Sequence, residues 1–185
     1  MRLVSIMSQV EIPYEDAKQK LIEEIQKHHR MYLATSDGDF VTVRRMGPIP
    51  DGLTIWFQTG VNSRKYEHLV KNSNVALAAG DDLQIEGVAS LRGHPLDDEN
   101  SDFIKVFKEN RPEMYERSIR PGRILQRPST RLIEVTPRRI VLSVWTANWD
   151  LEPDFEPYVI ILNTVEEKAY RIKSMELDKA PAYRE

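Results

Sequence analysis

The chain has 185 residues, 41% of them hydrophobic and 30% charged, with a formal net charge of -3, a balance that argues against bulk nucleic-acid binding and against an acidic disordered chain. It contains no cysteine, which excludes disulfides, thiolate nucleophiles, iron–sulfur clusters and Cys-ligated zinc. The length suits one compact unit, or one unit with an extension.

Gln9, Glu11 and Pro13 interrupt the first segment before a signal-peptide core could form, and no apolar run approaches the roughly 20 residues of a membrane span, so a cytoplasmic protein is expected. From Tyr14 to His29, Ala17, Leu21, Ile22 and Ile25 share one stripe, with acids in the first turn and basic residues near the end, which predicts an amphipathic helix. Five alternating segments follow, Met31 to Ser36, Phe40 to Met46, Leu53 to Thr59, Asn74 to Gly80 and Leu83 to Gly93. Turn residues such as Asp37-Gly38-Asp39 and Pro50-Asp51-Gly52 separate them, as in antiparallel hairpins of a barrel or sandwich.

Phe103, Val106 and Phe107 form a helical stripe after the fifth strand, so helices cap the sheet rather than alternate with it. Thr130 to Trp145 reads as one or two strands interrupted at Pro137, and "YVIILN" with "KAYRIK" predicts a late hairpin across Thr164 to Glu167. The expected organisation is a domain over residues 1–145 and an extension over 146–185, the hairpin packed on the barrel and the tail after Lys173 flexible. Eight arginines stand between Arg111 and Arg139 against Glu113, Glu116 and Glu134, and the interleaved prolines match no nucleic-acid docking motif, so a solvated or dimer-facing surface is expected there.

One stretch, "FQTGVNSRKYEHL" from Phe57 to Leu69, carries a chemical signal. A strand ends at Thr59, Gly60 frees the turn, Ser63 can cap a helix, and Arg64 and Lys65 add two cations at the positive end of the helix dipole. That arrangement calls for an anion, a phosphate above all. Arg44 and Arg45 are successive strand residues and point to opposite faces, so one of them can turn toward the same place. The eight glycines form neither a G-x-G-x-x-G nor a G-K-[ST] loop, which leaves a mononucleotide on a β-barrel as the better match. No spacing of the four histidines suggests a metal site.

The segment Tyr32 to Gly93, about a third of the chain, resembles the core of the pyridoxamine 5'-phosphate oxidase-like FMN-binding split barrels, closest to the general stress protein 26-type subgroup. The likeness lies in the order of an Arg-x-Met element, an aromatic-ending strand, Thr, a short gap, Ser-Arg-Lys opening a helix, an Asn-x-x-Val strand and a Gly-x-Ala strand. It implies a mainly β fold with peripheral helices, a six- to seven-stranded antiparallel split β-barrel. It also implies that Arg44 and Lys65 contact the phosphate of FMN, that Ser63 and Arg64 complete the cradle, and that the backbone at Arg45 and Met46, with Gln58 and Thr59, lies along the ribityl chain and ring. A homodimer with flavin between the subunits is implied as well, with Trp145 and Trp149 as aromatic candidates near a flavin.

Two departures stand out. "NSN" with Ser73 replaces the usual Asn-Pro before the fourth strand, and the late Arg-x-His-x-Arg substrate motif of the vitamin B6 oxidases is missing, since the last histidine is His94. The expected function is therefore an FMN flavoprotein passing electrons or hydride from a reduced donor to a small acceptor, rather than a typical pyridoxamine phosphate oxidase. A slow or non-catalytic flavin-binding stress or sensor protein is the alternative, and a deazaflavin- or haem-binding relative a third.

Overall fold

A computed structural model describes residues 9–80, 82–145 and 156–173, so the predicted tail after Lys173, the boundary at 145/146 and Trp149 lie outside the described residues. The first element is a short strand, β1 (Val10–Ile12), followed by α1 (Tyr14–Lys27). The helix buries Ala17, Leu21 and Ile25 along one stripe, and Glu15 and Asp16 lie at its positive end, so its polarity and its apolar face agree. It stops two residues before the predicted end because His28 is already extended.

Next come β2 (Met31–Ser36) and β3 (Val41–Met46), paired antiparallel from Met31 opposite Met46 to Ser36 opposite Val41. In their turn the Asp37 carboxylate accepts the amides of Asp39 and Phe40 at 3.3 and 3.1 Å, and Gly38 has a φ of 113°, which only glycine adopts without strain. A three-residue strand, β4 (Ile49–Asp51), pairs with β5 (Thr54–Gly60), and α2 (Arg64–Lys71) leads into β6 (Asn74–Ala79) and β7 (Leu83–Leu91). Two helices, α3 (Ser101–Asn110) and α4 (Pro112–Ser118), precede a long strand β8 (Thr130–Val144), and the predicted late hairpin forms as β9 (Tyr158–Asn163) and β10 (Lys168–Lys173).

Among the described residues all pairings are antiparallel within one ten-stranded sheet, in the order β1-β10-β9-β8-β7-β6-β2-β3, with β5 branching from β8 and β4 from β5. The sheet is mostly β with helices around it and does not close, the split-barrel arrangement that the resemblance implied.

The branch explains a feature the sequence misleads on. β8 is a single strand and Pro137 does not interrupt it, contrary to the expectation of a break there. Along one edge β8 pairs with β5 up to Val135 and with β9 only from Arg139, so Pro137 stands in the gap between two partners. On the other edge β8 is bulged against β7, Glu86 facing Arg139 and Gly87 facing Pro137 with Arg138 as the extra residue, so the missing amide N–H falls where the ladder is already interrupted. The Thr164 hydroxyl donates to the Pro137 carbonyl at 2.6 Å and covers it.

Side chains of β8 alternate between two apolar clusters. Ile133 and Val135 join α1, β2 and β6 in the larger one; Leu132 joins Ile49, Trp56, Phe103, Phe107 and Leu125 in the smaller, beneath α3. The stripe predicted on α3 is thus core at Phe103 and Phe107, with Val106 packed against its margin.

Candidate functional site

Strand alternation decides where the paired arginines go. On β2 and β3, Met31, Leu33 and Thr35 with Thr42, Arg44 and Met46 face inward, while Tyr32, Val41, Val43 and Arg45 face out. Arg44 is therefore the arginine on the side of α2, and Arg45 is exposed on the opposite face.

Arg44 is held in place by neutral acceptors. Its Nη1 donates to the Leu33 carbonyl at 3.0 Å and to the Thr35 hydroxyl at 2.8 Å, and its Nη2 donates to the Thr42 hydroxyl. Burial first, and then the charge of Arg64, holds its pKa below the usual arginine value. Lys65 behaves alike: burial and then the charge of Arg44 push its pKa down. Three cations, Arg44, Arg64 and Lys65, thus converge, and among the described residues none has a carboxylate within ion-pair distance.

The same place carries hydroxyls and a helix start. Thr59 and Ser63 share a hydrogen bond of 2.8 Å, and Ser63 caps α2, its side chain accepting the Tyr66 amide at 3.4 Å. Among the described residues the amides of Arg64 and Lys65, in the first turn of α2, have no backbone partner. A Cβ added at Gly60 would meet nothing within 4 Å, so the turn opens on free space. Cations without counter-ions, free amides and two hydroxyls are a donor set suited to a phosphate.

Of the residues expected at the site, Arg44, Thr59, Ser63, Arg64 and Lys65 come together here. Gln58 does not join them: alternation along β5 turns it to the Trp56 side, where its Nε2 is buried without a partner. Arg45 and Met46 instead line a cavity of about 590 Å³ with Arg30, Arg111, Arg117 and Glu113, four guanidiniums against one carboxylate. One arginine of the cluster expected on the surface is therefore buried: Arg111, 8% exposed, donates to the carbonyls of Asn110, Gln26 and His28 and ties the start of α4 to the end of α1. Burial pushes its pKa down.

Sequence reasoning also passed over His68 as an ordinary helical residue. It is 2% exposed, its Nδ1 lies 3.3 Å from the Thr35 hydroxyl, and its Nε2 lies 3.7 Å from the Asp37 carboxylate. Its helical phase beside Leu69 hinted at burial, but nothing in the sequence gave the partner across the fold.

No match was found among curated proteins. Among solved structures, a candidate pyridoxamine 5'-phosphate oxidase of Listeria innocua is 27% identical, with 66% of this chain and 94% of that one covered and a TM-score of 0.52. A protein of Clostridium acetobutylicum related to general stress protein 26 is 16% identical over 90% of this chain and 99% of that one, with a TM-score of 0.50. A haem storage protein of Vibrio cholerae is 16% identical over 64% and 89%, with a TM-score of 0.51; at these lower identities the likeness is one of fold. The family model described as pyridoxamine 5'-phosphate oxidase matches residues 17–143, from α1 through most of β8 and so across both the cationic cluster and the cavity. With a match of that extent and this sheet around it, the chain belongs to the pyridoxamine 5'-phosphate oxidase family.

Proposed function

We propose that the chain is a flavoprotein that holds FMN by its phosphate and passes electrons or hydride from a reduced donor to a small acceptor. The observation that carries this reading is the meeting of Arg44, Arg64 and Lys65 at the start of α2 with no carboxylate to neutralise them among the described residues. Such a cluster is unfavourable in isolation, and a dianionic phosphate would relieve it. Bound FMN would supply two-electron transfer between donor and acceptor, the part of the chemistry for which no side chain is required.

The chain's own residues would bind and orient. Arg44, held by three oxygens, offers a guanidinium already directed; Arg64 and Lys65 add charge, and Thr59 and Ser63 add hydroxyl donors. The cavity beside Arg45 and Met46 gives an anionic donor or acceptor room, and its four guanidiniums would draw such a molecule in. FMN is favoured here over haem because His94, a candidate axial ligand, has both nitrogens in use: Nε2 with the Arg127 carbonyl at 3.1 Å and Nδ1 with the Leu96 amide at 3.2 Å. Pyridoxamine phosphate oxidation is not part of the proposal. The segment that would carry its substrate arginines and histidine is a structural turn here, Asn163 accepting the amides of Val165 and Glu166 at 3.0 Å.

The proposal includes a homodimer. Tyr32, Val41 and Val43 are 55%, 69% and 63% exposed on the outer face of β2 and β3, beside the exposed Ala76 and Ala78 of β6, an apolar face suited to a second copy.

Turnover is tested by mixing FMN-loaded protein anaerobically with NADH or NADPH, following the visible flavin band, and then adding oxygen, a quinone or a nitro compound. Bleaching by one donor and repeated reoxidation by one acceptor are expected. Tight flavin binding with neither event would leave a storage or sensing protein in its place.

A further inference from the structure

Beneath the cationic cluster lies a row of polar side chains that phosphate binding does not itself require. Thr35 and His68 are each 2% exposed, and they connect Arg44 to the Asp37 carboxylate at the tip of the β2–β3 turn. The Arg44 guanidinium at one end of the row and the Asp37 carboxylate on the Nε2 side at the other favour one direction along it.

A guanidinium can only donate, so Thr35 Oγ1 accepts from Arg44 Nη1 at 2.8 Å. The Thr35 hydroxyl has one proton of its own, and the nearby His68 Nδ1, at 3.3 Å, is placed to take it. Nδ1 then carries the lone pair and Nε2 the proton, on the side facing Asp37 Oδ2 at 3.7 Å. Asp37 is anchored in turn, because its Oδ1 accepts the amides of Asp39 and Phe40. Turn, helix and strand are thereby linked through one imidazole.

We propose that His68 is a positioning residue for the phosphate site: with Nδ1 as the acceptor and the Nε2 proton on the side of Asp37, it orients the Thr35 hydroxyl, which directs the Arg44 guanidinium into the cradle. This inference rests on the FMN reading for its effect on binding, while the tautomer it requires is a property of the free protein. Partners behind metal-ligating histidines alter affinity by about tenfold or more when removed, and a loss of that order is expected here.

The test has two arms. In the ligand-free protein labelled with ¹⁵N-histidine, the imidazole spectrum of His68 should show a protonated Nε2 and an unprotonated Nδ1; a protonated Nδ1 would overturn the proposal whatever the chain binds. FMN and riboflavin are then titrated into wild type, Arg44→Ala, His68→Leu and His68→Asn. His68→Leu should weaken FMN about tenfold and leave riboflavin, which lacks the phosphate, unchanged. His68→Asn, whose side-chain carbonyl reaches the place of Nδ1 and can accept from Thr35, should restore most of the loss.

If Arg44→Ala weakens FMN and His68→Leu does not, or if His68→Asn binds as poorly as His68→Leu, the positioning role is wrong and the cradle stands. If Arg44→Ala has no effect on FMN, the cradle reading is wrong, and the tautomer still decides whether the relay exists. Should His68→Leu fail to fold, the asparagine variant and the tautomer carry the decision.

Discussion

Lys65 is half-buried and within electrostatic reach of Arg44, so its charged form is disfavoured in the folded chain. A lysine whose folded pKa lies below its unfolded one makes folding less favourable while both states are protonated. Stability returns as pH rises through the lowered folded value and levels off at the ordinary lysine value. Lys65→Met should therefore raise the melting temperature of the ligand-free protein at neutral pH by about 2 °C, with the gain shrinking across that alkaline window. FMN affinity should fall in the same variant. Thermal melts against pH read the first effect, and a lower melting temperature at neutral pH would contradict it. At this scale the opposite orientations of Arg44 and Arg45 were legible from the period of a strand. Which of them faces α2 was not, because that depends on which face of β2–β3 the rest of the chain covers. His68 and Arg111 were missed for the same reason: their partners, Thr35 with Asp37, and the end of α1, lie far away in sequence.

Among the elements, the longer strands could be read from alternation and turn chemistry, and the late hairpin likewise. β1 and β4 could not, since each has three residues and exists only through its pairing with β10 or β5. Pro137 pointed to a break that the fold avoids by changing partners at that position. The crossing is tight: a Cβ on Gly87 would stand 2.7 Å from the Thr136 carbonyl oxygen and 3.0 Å from a Val135 methyl, and backbone cannot yield as a flexible side chain would. Gly87→Ala should thus destabilise the protein by about 1 to 3 kcal/mol, measured by urea denaturation, with little change in the slope of the transition. An unchanged midpoint would mean that the β7–β8 bulge relaxes freely.

Taken as a whole, the chain has a net charge of -3 and yet concentrates positive charge in two places, the start of α2 and the cavity lined by Arg30, Arg45, Arg111 and Arg117. The overall composition conceals this, because charge summed over a sequence says nothing of where side chains meet. Among the described residues no helix is long and apolar enough to cross a membrane. The proposed dimer would use the outer face of β2, β3 and β6, so cradle and dimer can be examined together. Sedimentation velocity of the protein with FMN, recorded in the visible flavin band, follows the cofactor and the mass that carries it in one experiment. Flavin absorbance should move with a dimer for wild type with FMN, and remain largely free both with riboflavin and with the Arg64→Ala/Lys65→Ala variant. Flavin absorbance that stays behind with the wild type, or that moves equally with riboflavin, would contradict the claim that these cations hold a phosphate.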